Sequence, residues 1–119
     1  MNKTVLFVYG TLKSGQSNHD KLAGQEFLGH ATTLPLYRLF SLGWHPGLVQ
    51  SEEGVAVEGE LWQVDHETLK ALDEYEGVPH WFIRQSIAIQ DRVGDIEAYF
   101  YTQEPPSDAP SGADWPFPA

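Results

Sequence analysis

Thr4-Val5-Leu6-Phe7-Val8-Tyr9-Gly10-Thr11-Leu12-Lys13-Ser14-Gly15 is the stretch on which the reading of this chain turns. Residues 5–8 are an apolar, β-branched-rich run, the pattern of a strand buried on both faces. The run stops at Gly10, a residue whose backbone reaches angles closed to others. Residues 10–15 then form a short glycine-bounded loop. A loop of this kind at the end of a buried strand presents free backbone N–H groups and can cradle an anion. From these twelve residues alone, a strand followed by an ordinary turn reads equally well.

The chain around this stretch has 119 residues, enough for one domain with a real core. Its hydrophobic fraction of 41% is that of a globular protein. Seven Lys+Arg against 17 Asp+Glu leave a formal net charge of −10. Such a surface repels phosphate backbones and anionic lipid, which argues against nucleic-acid and membrane-surface roles. There are no cysteines, so disulfides, thiolate metal sites and cysteine nucleophiles are excluded. No apolar run approaches a membrane span and no signal-peptide pattern is present. The expectation is a soluble, intracellular protein, and a cytoplasmic one.

Downstream, Asn18 or Asp20 is placed to cap a short helical turn over residues 16–22. Strands are expected over 26–33, broken by Gly29, and over 36–42 after Pro35. Residues 43–47, Gly-Trp-His-Pro-Gly, read as a turn, with a brief extended piece at 48–49. Residues 54–64 alternate most clearly: Val55, Val57 and Leu61 share one face, and Ala56, Glu58, Glu60, Trp62 and Val64 the other. Gly54 and Gly59 suggest a bulge or a close backbone approach. Residues 66–76 form the main helix, with Asp65 as N-cap and Gly77 and Pro79 ending it. Strands at 81–90 and 96–102 flank a turn at 91–95. Residues 103–119 read as a Pro-rich C-terminal tail, set off from a domain spanning 1–102, with Trp115 and Phe117 able to dock on it. Many strands and one good helix predict an α+β domain built on a small mixed, barrel-like sheet.

The helix carries the most informative side chain. At about 100° per residue, Leu69 and Leu72 define its apolar stripe, while Glu67, Lys70 and Glu74 face water. Glu76 falls inside the stripe, pointing a carboxylate toward the core at the helix C-terminus. Desolvation and the helix dipole both raise the pKa of such a group, which suits a proton shuttle. The alternative is a helix that frays at Tyr75 and turns Glu76 to solvent. Several other features carry less. Residues 10–17 miss the P-loop pattern by Gln16 in place of lysine, and no long helix follows. The five histidines (19, 30, 45, 66, 80) lack metal-ligand spacing, so no metal site is expected and surface or capping roles are. Ser14, Ser17 and Ser41 lack the elbow context of a hydrolase serine. Glu58 and Glu60 share a strand face, more simply as a solvated face than as a catalytic pair.

Taken together, several stretches resemble the γ-glutamylcyclotransferase-like family, and within it the γ-glutamylamine cyclotransferase branch. They are Val8-Tyr9-Gly10-Thr11-Leu12-Lys13, Asn18-His19, Val57-Glu58-Gly59-Glu60-Leu61-Trp62, Leu72-Asp73-Glu74-Tyr75-Glu76 with Pro79 and Arg84, and Ala98-Tyr99-Phe100-Tyr101. The resemblance spans residues 4–101. It implies a small mixed β-barrel with helices, no cofactor, and conversion of a γ-glutamyl amide to 5-oxoproline with release of an amine. It implies that Glu76 is the catalytic glutamate and that the segment Tyr9, Gly10, Thr11 and Leu12 holds the substrate α-carboxylate through backbone N–H groups. Phe82 departs from the tyrosine that relatives often carry two residues before the arginine, which bears on substrate preference.

The residues are consistent with this chemistry. The substrate's own α-amine is the nucleophile, so the protein needs to fold the glutamyl chain and move a proton. A loop N–H or Tyr101 are candidates for stabilising the oxyanion. A rival reading is a non-catalytic module that binds a γ-glutamyl compound on the same scaffold. A third is removal of a γ-glutamyl group from a large metabolite, which an open groove would favour. The released amine and the oligomeric state are not specified by these residues.

Overall fold

A computed structural model describes residues 3–117; the first and last two positions of the expected domain and tail lie outside them. The order is β1 (Lys3–Val8), a 3-10 turn (His19–Leu22), β2 (Glu26–Thr32), β3 (Tyr37–Ser41), β4 (Pro46–Gln50), β5 (Glu58–Asp65), α1 (His66–Glu76), β6 (Phe82–Ser86), β7 (Ile96–Tyr101) and β8 (Ser111–Gly112). The fold is α+β and dominated by sheet, as expected.

One five-stranded sheet runs β2-β5-β1-β7-β6 and one three-stranded sheet runs β4-β3-β8. In the larger sheet β1 lies between β5, antiparallel to it, and β7, parallel to it. The two edges of this sheet curl toward each other. Thr33, just past β2, bridges Ile89, just past β6, and the Leu34 N–H donates to the Ala88 carbonyl at 3.0 Å. Joining the edges removes the unpaired rows that an open sheet would expose.

Alternation along β1 explains its central place. Phe7 faces a cluster shared with Leu39, Leu48, Leu61 and Phe100 of both sheets. Leu6 and Val8 face a second cluster with Trp62, Val64, Leu69 and Leu72, under the helix. The strand is buried on both sides, so any polar substitution there meets apolar neighbours. Gly59 is required where β5 crosses it: a Cβ would lie 2.5 Å from the Phe7 ring and from the Val8 carbonyl.

Some local expectations need correction. The strand at 54–64 begins at Glu58; before it, Val55 pairs only with Tyr37 and leads from one sheet to the other. The strand at 81–90 ends at Ser86 for the same kind of reason, since Ile89 turns to close the barrel. Gly29 does not break β2 but marks a shift of register against β5. Asn18 occupies the N-cap position of the 3-10 turn, yet its side chain donates to Thr11 Oγ1 at 3.0 Å instead of capping. The C-terminal stretch contributes β8, which pairs with β3, and Trp115 and Phe117 pack against the inter-sheet cluster.

Candidate active site

The helix ends as its sequence predicts. Asp65 Oδ1 accepts from the Thr68 N–H at 2.8 Å, and Gly77 closes the C-terminus with φ 72°. Leu69 and Leu72 are buried, and the helix holds through Glu76 without fraying. Glu76 therefore stays on the inward side, where it lines a cavity of about 420 Å³. Removal from water raises its pKa from 4.5 to about 7.

The cavity gathers residues from five parts of the chain. Tyr9, Gly10, Thr11 and Leu12 follow β1, and Trp44 and His45 come from the β3–β4 turn, with Pro46 opening β4. Glu76 ends α1, Trp81 and Phe82 open β6, and Tyr99 and Tyr101 lie on β7. All six residues singled out as the site, Glu76, Tyr9, Gly10, Thr11, Leu12 and Tyr101, line this one space. The volume is in the range of small-molecule sites.

The loop after β1 is held from several sides. The Lys13 N–H donates to the Gly10 carbonyl at 3.1 Å and the Asn18 N–H to the Thr11 carbonyl at 2.9 Å. Ser14 donates to Glu60 Oε1 through its N–H at 3.0 Å and its hydroxyl at 3.2 Å. Among the described residues, the N–H groups of Thr11 and Leu12 have no protein acceptor. These two donors border the cavity, as an anion cradle requires. Gly10 is needed for a different reason from the one its type suggests. Its φ is not positive; a Cβ there would lie 2.7 Å from Pro46 Cγ, so β4 presses directly on the loop.

A relay of side chains ties the helix end to the sheet. Arg84 donates to both carboxylate oxygens of Asp73, each at 3.0 Å, and also to Glu97. The Tyr99 hydroxyl donates to Asp73 Oδ1 at 2.6 Å. The Tyr9 hydroxyl in turn donates to the Tyr99 carbonyl at 2.8 Å. Burial, and next the charge of Glu76, push the Tyr9 phenol well above its usual value, so it stays a neutral donor.

Two sequence readings are corrected here. Glu60 is not on a solvated face: it is 4% exposed, and Trp62 Nε1 also donates to its Oε1 at 3.1 Å. Its position on the same strand face as Trp62 and Val64 was the signal for burial. His45 is neither surface decoration nor a cap but part of the cavity wall, where burial lowers its pKa. Trp44 and Trp81, placed in a turn and at a strand start by sequence, also border the cavity, because the turns that carry them converge only in the fold. Among the described residues, no group of three or more His, Asp or Glu side chains converges as a metal site would. No helix among them is long and apolar enough to cross a membrane.

The fold and site define a small mixed barrel in which one glutamate and the glycine-bounded loop after β1 line a shared cavity. Residues 6–117 match the family model described as γ-glutamyl cyclotransferase, AIG2-like, and the chain belongs to that family of enzymes. A Vibrio cholerae protein provisionally named a γ-glutamylcyclotransferase is 40% identical over 99 residues, covering 83% of each chain. The γ-glutamylaminecyclotransferase of Bos taurus is 39% identical over 107 residues, covering 82% of this chain and 64% of that one. The crystal structure of an AIG2-like protein from Mus musculus superposes with a TM-score of 0.86 at 27% identity, covering 97% of this chain and 89% of that one.

Proposed function

We propose that this protein converts a γ-glutamyl amide to 5-oxoproline and a free amine, with Glu76 as general acid and base. The observation that carries this reading is that Glu76, whose burial raises its pKa, lines the same cavity as Thr11 and Leu12, whose N–H groups have no protein acceptor among the described residues. The two N–H groups take the substrate α-carboxylate. That contact fixes one end of the glutamyl chain and favours the folded conformer in which amine and carbonyl meet.

Glu76, ionised, accepts a proton from the substrate α-ammonium. The freed amine attacks the γ-carbonyl carbon and forms the ring C–N bond. Glu76 then returns the proton to the leaving nitrogen as the original amide C–N bond breaks. The ring nitrogen still carries one proton too many; Glu76 takes this second proton and passes it to the released amine, which departs as an ammonium, so the ring nitrogen ends with the single hydrogen of 5-oxoproline. A pKa near neutrality serves both transfers, because the group must be a competent base in one and a competent acid in the other. Tyr101, at the cavity wall, and the N–H groups of the loop are the candidates for stabilising the oxyanion. The names of the Bos taurus relative and its like support an amine as the leaving group.

The test is 5-oxoproline release from a panel of γ-glutamyl amides by wild type and Glu76→Gln. Release by wild type, lost in a folded Glu76→Gln that still binds 5-oxoproline, is the expected result. Equal release by the variant overturns the role of Glu76. Binding without release from any amide favours a non-catalytic module.

A further inference from the structure

The mouth of the cavity has a chemistry that the reaction does not use. Trp44 is 68% exposed and Trp81 51% exposed, and both border the cavity from different turns. Both sit on hydrogen-bonded backbone. Trp81 is held by its N–H to the Gly77 carbonyl at 2.9 Å and by the Thr102 N–H to its own carbonyl at 3.0 Å. Its ring stacks edge-on with His80 at 4.9 Å and lies close against Gly77, one residue from Glu76. Trp44 sits in a turn fixed by the Gly43 N–H to Ser41 Oγ at 3.2 Å and the Leu42 N–H to the His45 carbonyl at 2.9 Å. Its ring meets His45 at 4.5 Å.

Two large aromatic faces, held on ordered backbone yet open to water, are costly to solubility unless something covers them. The wall below them continues apolar through Phe82 and Tyr101, whose rings meet at 5.4 Å. Among the described residues no Lys, Arg or Asp lines the cavity, and Glu76, which the proton transfers occupy, is the sole Glu there. Lys21 lies over the neighbouring Tyr75 ring, 4.3 Å from its centre, and so already supplies a cation to that ring. A charged leaving group would find no ion partner in this mouth, whereas a flat or extended apolar one would bury carbon against two indoles.

We infer that Trp44 and Trp81 form a leaving-group subsite that selects γ-glutamyl amides whose released amine carries an aromatic or extended apolar body. This rests on the cyclotransferase reading above and names its substrate class. The subsite is continuous with the reaction cavity. It receives the part of the substrate beyond the scissile bond, since the glutamyl part is held by the loop after β1.

The experiment compares kcat/KM for γ-glutamyl methylamide, pentylamide, 5-aminopentylamide and benzylamide in wild type, Trp44→Ala and Trp81→Ala. The expected result is a benzylamide-to-methylamide ratio of about tenfold or more in wild type, falling several-fold in each variant. Both rings are exposed, so their removal leaves the two core clusters intact, and unchanged melting temperatures check this. If methylamide is turned over but the ratio is near one, or survives in both variants, the subsite is wrong and the reaction stands. A preference for 5-aminopentylamide over pentylamide overturns the apolar class in favour of a cationic one. No 5-oxoproline from any amide overturns the reaction itself, and the subsite with it.

Discussion

Glu60 Oε1 accepts the Ser14 N–H at 3.0 Å, so a buried carboxylate on β5, an interior strand of the large sheet, fixes the far end of the loop that borders the cavity. The same oxygen takes the Ser14 hydroxyl and Trp62 Nε1. Three donors on one oxygen compensate a charge that would otherwise be expensive to bury. Glu60→Ala removes the acceptor of all three donors and leaves the buried Trp62 Nε1–H without a partner. We expect a loss of about 2–4 kcal/mol in urea unfolding, together with a KM increase larger than any fall in kcat. Glu60→Gln keeps an acceptor at Oε1 and should recover most of both. Equal kcat and KM losses in the two variants would remove Glu60 from any part in positioning the loop.

Glu76 makes a prediction about stability against pH. Its pKa is about 7 in the folded chain against 4.5 when unfolded. The folded state therefore holds its proton more tightly, and stability falls as pH rises from about 4.5 through 7. Glu76→Gln lacks this term. The variant should exceed wild type at pH 8 by up to about 3 kcal/mol, and the two should converge near pH 4. Denaturant melts at the two pH values measure this. No divergence would mean that Glu76 is as well solvated as an ordinary surface carboxylate. The same pKa predicts that kcat/KM of wild type rises with pH to a plateau above about 7.

Asp73 behaves in the opposite direction. Burial acts to raise its pKa, but hydrogen bonds from Arg84 and Tyr99 and the Arg84 charge outweigh it and hold the group below its usual 3.8. Its contribution is present above that value and lost as the pH falls through the lower, folded one. Arg84→Met frees both carboxylates it holds. Because the pair is about one quarter exposed, a modest loss of about 1–2 kcal/mol is expected at pH 7. The loss should shrink in strong acid, where Asp73 is neutral in both proteins. A loss that is constant down to pH 2 would assign the effect to packing of the Arg84 stem instead.

Lys13 joins the loop to the C-terminal stretch. Its ammonium donates to Asp114 Oδ1 at 3.0 Å and to the Trp115 carbonyl at 2.6 Å, and its side chain is only 12% exposed. Lys13→Met should loosen residues 110–117 and raise the rate of proteolytic cleavage there several-fold, with about 1 kcal/mol of stability lost. Trp115→Ala should cost more, about 1–3 kcal/mol, because it also uncovers the inter-sheet cluster. Cleavage patterns read by mass spectrometry separate the two effects. Unchanged cleavage in Lys13→Met would show that packing alone holds this segment.

Much of this protein is written locally. The apolar run at residues 5–8, the alternation through Leu61 and Trp62, and the helix from Asp65 to Gly77 follow from periods of 2 and 3.6 and from capping chemistry, which depend on near neighbours. The inward angle of Glu76 follows from the same helix geometry, given that Leu69 and Leu72 define the buried side. These features, with the ordered motifs, were enough to indicate the family.

What the tertiary structure decided is everything that depends on residues far apart in the chain. Gly10 is a glycine because Pro46 lies against it, not because of its own backbone angles. Glu60 is buried because Ser14 and Trp62 bring three donors to it, and a carboxylate's burial is set by its partners, not by its type. His45, Trp44 and Trp81 belong to the cavity because the β3–β4 turn and the helix end meet there. Local sequence specifies which face of an element is apolar; only the closing of the barrel decides which faces, and which turns, look into the same space.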